Sequence, residues 1–164
     1  MVRRDRQLPD DQARQYLREN FVAHVGTVDA AGWPYVVPLM YVYEGGDRLY
    51  LHTGPHHGHF LSNIGENSRV CVSVDERGPM HRGSPAPCDS AQTYSSVIAF
   101  GQVRVYDDAD IRQKKTWFFD RLLERLNEPK SAYEDPGYPM LDRIILYEVS
   151  LEIVTGKKNV GLRH

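Results

Sequence analysis

The stretch Trp33–Val74, WPYVVPLMYVYEGGDRLYLHTGPHHGHFLSNIGENSRVCVSV, is the part of the chain whose reading decides the fold. Alternation, with enrichment in β-branched and aromatic residues, predicts strands over Tyr35–Tyr43, Arg48–Thr53 and Arg69–Val74. Glu44-Gly45-Gly46-Asp47 joins the first two as a short hairpin loop. Between the second and third lie the run Gly54-Pro55-His56-His57-Gly58 and a short predicted helix from His59 to about Glu66. A loop of phosphate size before a helix start suits nucleotide chemistry, because the first N–H groups of a helix are free to hold an anion.

Outward from this segment, Leu8-Pro9-Asp10-Asp11 opens a predicted helix to about Asn20, with acidic residues at the positive end of its dipole. Ala13, Tyr16, Leu17 and Phe21 share one face and are expected to pack on the sheet. Phe21–Val28 reads as a strand, turned back by Asp29-Ala30-Ala31-Gly32. Asp75–Ala91, punctuated by Gly78, Pro79, Gly83, Pro85 and Pro87, reads as a long irregular loop. Gln92–Tyr106 returns to strand character, with Gly101 marking a bulge. A helix follows from about Ala109 to Leu126, then a loop from Asn127 to Leu141, the strand Ile144–Val154 and a polar tail. About six or seven largely antiparallel strands with two or three flanking helices predict a mainly β fold, a barrel with helical decoration.

Composition narrows the function classes. The 164 residues, 41% hydrophobic, suit one domain over residues 1–164 with a core large enough to stand alone. A formal charge of −2 and a pI near 6.4 leave no broad electropositive field, and no basic patch suggests nucleic acid. No apolar run approaches the roughly 20 residues that span a bilayer, and the Arg3-Arg4-Asp5 start lacks a signal peptide's apolar segment, so a cytoplasmic location is expected. Cys71, alternating with Val70 and Val72, reads as a small packed side chain, and Cys88 lies in a loop.

The strings Pro34-Tyr35-Val36-Val37-Pro38, Tyr50-Leu51-His52, Gly58-His59 and Val70-Cys71 occur in this order, and Tyr94-Ser95-Ser96-Val97-Ile98-Ala99-Phe100-Gly101 and Thr155-Gly156-Lys157 follow. With them the chain resembles the nitroimidazole-resistance (Nim-type) branch of the pyridoxamine 5'-phosphate oxidase-like split-barrel flavoproteins. The resemblance implies a homodimeric split β-barrel with FMN at the subunit interface. It also implies an oxidoreductase in which a reduced nicotinamide donates a hydride to FMN, and a nitroaromatic or other small acceptor takes the electrons. In the residues that match, Val37, Pro38, Leu39, Met40 and Tyr41 would line the flavin ring. His52 and Thr53 would lie beside the ring or ribityl chain. Gly58, His59 and Phe60 would sit near the phosphate, and Ser96 near the cofactor.

The family motif continues Gly-His-Lys where this chain has Gly58-His59-Phe60, so the phosphate-pairing cation is absent there. His56, His57, His59, or Lys157 of the partner subunit are the available substitutes. The departure keeps a second reading open, a flavin- or haem-binding barrel without turnover that serves in storage or sensing. Haem and a deazaflavin are the alternatives to FMN.

Other constellations carry less. His59 is the candidate for a catalytic or substrate contact, and it also reads as a surface residue at a helix start. His52, on a strand, reads equally as a core histidine. His52, His56, His57 and His59 lack a carboxylate or Cys pair at zinc spacing, so no metal site is expected. No Gly-x-Ser-x-Gly elbow surrounds Ser95 or Ser96, which argues against a hydrolase.

Overall fold

The computed structural model describes residues 3–83 and 86–161. Its strands are β1 (Gln7–Leu8), β2 (Val22–Val28), β3 (Pro34–Val42), β4 (Arg48–Thr53), β5 (Arg69–His81), β6 (Ala91–Val105) and β7 (Ile145–Asn159). The helices are α1 (Asp10–Glu19), α2 (His59–Glu66) and α3 (Ile111–Leu126). The strand order is β1-β7-β4-β3-β2-β5-β6, and β6 pairs back onto β7. Every pairing is antiparallel, which gives the expected split barrel. Among the described residues no helix is long and apolar enough to cross a membrane.

Inward-pointing residues fill the ring: Ala23 and Val25 of β2, Leu49 and Leu51 of β4, Val72 and Val74 of β5, Val97 and Ala99 of β6, and Tyr147 and Val149 of β7. Helix α1 caps this core through Ala13 and Leu17, both fully buried. Its approach to β7 explains Gly156, where a Cβ would lie 2.9 Å from the Cβ of Ala13 and 3.0 Å from that of Leu8. The hairpin loop between β3 and β4 places Gly45 and Gly46 at φ +115° and +71°, a backbone region glycine enters without a Cβ penalty.

Helix α3 lies outside the ring, against β3, β4 and β7 and the residue that follows β6. Phe118 and Leu122 pack there against Val42, Tyr50, Tyr106 and Leu146. The Arg125 guanidinium ties this helix to the end of α1, donating to the carbonyls of Arg18, Asn20 and Tyr43.

The structure corrects two expected boundaries. The expected loop Asp75–Ala91 is in large part strand, since β5 runs to His81 and a register shift lies between Arg77 and Met80. Pro79 sits at that irregularity, where no ladder donor is needed, and the Gln92 and Thr93 side chains donate to the carbonyls of Gly78 and Pro79. Ser84 and Pro85 of that loop lie outside the described residues. The polar tail expected after Val154 is also strand, because Lys157 and Lys158 pair with Ser96 and Ser95. A register shift does fall at Gly101, whose Cβ would collide with the Ser150 carbonyl.

Candidate site on the outer barrel face

Strand β3 cannot present five consecutive side chains to one ligand, and its alternation divides the expected flavin-lining group. Val36, Pro38 and Met40 point outward, with Val36 60% and Met40 38% exposed. Val37 and Leu39 instead pack against the barrel core, and Tyr41 is fully buried, its hydroxyl donating to the Leu17 carbonyl at 2.8 Å. Only Pro38 and Met40 of the five offer side chains to the outer face.

Cross-strand partners share a face, so the register extends that surface around the barrel. His24 faces Pro38 on one side and Ser73 on the other, and Gly26 stands between Val36 and Cys71. Cys71 faces Phe100 and Ser73 faces Ile98, while Asp75 faces Ser96. On β7, Phe100 meets Ile153, Ile98 meets Thr155, and Ser96 meets Lys157. The fold thus brings Pro38, Met40, Ser96 and Lys157 onto one surface. One side of it is apolar, with Phe100 46% and Ile153 55% exposed, and the other carries Asp75, Ser96 and Lys157. His24 Nδ1 lies 4.0 Å from an Asp75 carboxylate oxygen. Burial pushes the Cys71 thiol up from its ordinary value, which disfavours thiolate chemistry there.

The other expected site residues lie elsewhere. His52 points under α3, its ring 5.1 Å from Phe118 and 5.3 Å from Phe119, and its buried Nδ1 has no partner among the described residues. Desolvation lowers its pKa below the ordinary histidine value. The Thr53 hydroxyl lies 2.9 Å from that of Tyr147.

Helix α2 plugs one end of the barrel. Gly58 caps it in extended geometry and faces open space, and His59 is exposed, its ring 5.5 Å from that of Tyr35. His57 Nδ1 is 3.2 Å from the Ser62 hydroxyl. The side chain of Phe60 turns inward, 5% exposed and edge-on to Tyr147 at 5.2 Å. It was expected near a phosphate; the helix's amphipathic spacing instead sends it into the core beside Ile64. Asn63, also buried, donates to the Thr27 hydroxyl at 2.9 Å and fixes the plug to β2.

Sequence reading missed His24, Asp75, Phe100 and Ile153. A signal was present in β2, whose two alternating sets, Ala23-Val25-Thr27 and Val22-His24-Gly26-Val28, are both largely apolar. Strands apolar on both faces are covered on both faces.

The family model for pyridoxamine 5'-phosphate oxidase matches residues 9–158. The chain belongs to that family. Solved structures with the same fold include a candidate 5-nitroimidazole antibiotic resistance protein from Bacteroides thetaiotaomicron, 22% identical with a TM-score of 0.72, covering 93% of this chain and 86% of that one. An FAD-binding protein from Mesorhizobium loti is 22% identical with a TM-score of 0.68, covering 94% and 97%. The FAD and haem binding protein from Mycobacterium smegmatis is 20% identical with a TM-score of 0.77, covering 97% and 76%. A search of curated proteins finds no match.

Proposed function

We propose that the chain is a flavin-dependent oxidoreductase that works as a homodimer, with FMN on the outer face of β3, β2, β5, β6 and β7 and a second copy covering it. The observation that carries this reading is that face itself. Its exposed Val36, Phe100 and Ile153 lie along one cross-strand row, and exposed Met40 lies on β3 beyond Pro38, towards the polar edge; exposed apolar surface of this kind marks a binding surface. A flat apolar ring with an anionic tail suits the same polarity. Pro38 and Met40 would pack on the ring. Ser96 and Lys157 would receive the phosphate, and Lys157 carries no ion pair among the described residues. His24, beside Asp75, would hold a proton at its imidazole for a small acceptor. When bound, the flavin supplies hydride and electron transfer.

Family membership and the flavin-binding proteins that share the fold support a flavin, and the nitroimidazole resistance named for the Bacteroides protein is in keeping with a nitroaromatic acceptor. The reduced nicotinamide donor is part of the proposal. A second reading, a flavin or haem carrier without turnover, is favoured by the inward turn of Phe60, which puts a buried aromatic ring where the family motif has its lysine.

The deciding experiment is the absorption spectrum of freshly purified protein with mass spectrometry of the released cofactor. A flavin band near roughly 450 nm is expected. A haem spectrum alone, or a deazaflavin mass, would reassign the cofactor. Nicotinamide-dependent reduction of a nitroaromatic would separate enzyme from carrier. Lys157→Met is expected to weaken FMN about three- to thirtyfold, the worth of a partly screened charge-assisted hydrogen bond, and to leave riboflavin affinity unchanged. Equal losses for FMN and riboflavin would remove Lys157 from the phosphate.

A further inference from the structure

We propose that the cleft between the β3–β4 hairpin and α3 is a second binding site, for a small organic anion on a flat apolar body, with Lys114 as its anchor. The cleft holds about 470 Å³ and is lined by Gly45, Gly46, Arg48, Tyr50, Lys114 and Trp117, together with Glu44, Asp47 and Ser150. That volume falls in the range of small-molecule pockets.

The charges around it are paired with one exception. Glu44 meets Arg121 at 3.5 Å, Asp47 meets Arg14 at 3.3 Å, and Arg48 meets the buried Glu148. Lys114 has no carboxylate or carbonyl partner for its ammonium among the described residues. Its Nζ lies instead 3.7 Å from the centre of the Trp117 ring and 4.0 Å from that of Tyr50. Ring faces attract a cation but accept none of its N–H donors as a carboxylate would. Desolvation pushes this ammonium below the ordinary lysine range, so it gains from an anion brought beside it. Arg48, half exposed, offers a second cation at the same wall. With Glu44 and Asp47 neutralised by their arginines, an incoming carboxylate or phosphate meets Lys114 and Arg48. Trp117 then supplies a flat surface for an apolar ring, and the side-chain-free Gly45 and Gly46 keep the mouth open.

Trp117 reports on this site, and Trp33→Phe removes the other tryptophan, which is 73% exposed. Titration of that variant with benzoate or phenyl phosphate is expected to change the fluorescence saturably at millimolar concentration. Benzyl alcohol, a neutral analogue, is expected to give no such change. A response to one anion only would identify the headgroup as carboxylate or phosphate. Lys114→Met, which keeps the packing stem, is expected to weaken binding by about tenfold or more, and Lys114→Arg to stay within about threefold. No saturable response to either anion, an equal response to benzyl alcohol, or full binding by Lys114→Met would overturn the proposal. If Lys114→Met does not fold, Arg48→Met and the neutral analogue decide it. Failure here leaves the flavin reading untouched, because that reading uses the opposite flank of the sheet.

Discussion

The outer surface of one barrel is finished in two different ways. Under α3, the outward residues Val42, Tyr50 and Leu146 are buried by Phe118 and Leu122, and Glu148 is satisfied by Arg48, Arg104 and the Tyr50 hydroxyl. On the other flank, outward Val36, Phe100 and Ile153 are bare, and His24 Nδ1 lies 4.0 Å from the Asp75 carboxylate. Both surfaces follow from strands that are apolar on both faces. The difference is that the chain supplies its own cover to the first and leaves the second for something else.

The largest expected effect tests the inside of the ring. Phe60→Lys would remove a buried aromatic ring and bring an ammonium towards the core, at a cost of about 3–5 kcal/mol or more. Denaturant unfolding checks it. A stable Phe60→Lys protein with tighter FMN binding would return Phe60 to the phosphate and undo the placement of the site.

Next comes a direct contrast between two phenylalanines. Phe118→Ala should cost about 3–5 kcal/mol at any protein concentration, since its ring is fully buried by the same chain. Phe100→Ala should change the stability of the dilute monomer by no more than about 0.5 kcal/mol. It should instead weaken self-association, as read by light scattering across a concentration series. If Phe100→Ala leaves self-association unchanged, the bare face is not where the second copy sits.

That contrast also shows where the sequence could be read and where it could not. The alternation of Pro34–Val42 and the apolar β2, β4 and β7 runs made the barrel legible, because inward residues are chosen by burial at period two. The hairpin at Gly45-Gly46 and the bulge at Gly101 were legible because only glycine fits there. The site was less legible. Ser96 and Lys157 were named from the sequence, but their adjacency, and that of His24 to Pro38 and Ser73, depends on a register between strands far apart in the chain. Gly78 and Pro79 hid the continuation of β5, since side chains of Gln92 and Thr93, not a ladder, satisfy that backbone. Position in the family motif placed Val37, Leu39 and Phe60 near the cofactor, and the parity of a strand and the stripe of a helix sent their side chains into the core.

The smallest expected effect belongs to the clad flank and comes from His52. Its ring packs against Phe118 and Phe119, and its buried Nδ1 has no partner among the described residues. A neutral imidazole tolerates this by leaving Nδ1 as a bare acceptor. The imidazolium must place a proton there with nothing to receive it, so desolvation holds the folded pKa below the unfolded value of about 6.5. The unfolded chain therefore binds the proton first. The stability that depends on neutral His52 is fully present above about pH 6.5. It falls as the pH drops through that value towards the lower folded pKa, and then levels off once both states are protonated. Comparing unfolding free energies at about pH 7.5 and about pH 5.5 for the wild type and His52→Gln isolates this contribution from other titrating groups. The wild type should lose more stability than the variant over that interval. Equal losses would mean that α3 opens enough at His52 to let water reach the ring, and that the two flanks differ less than their packing implies.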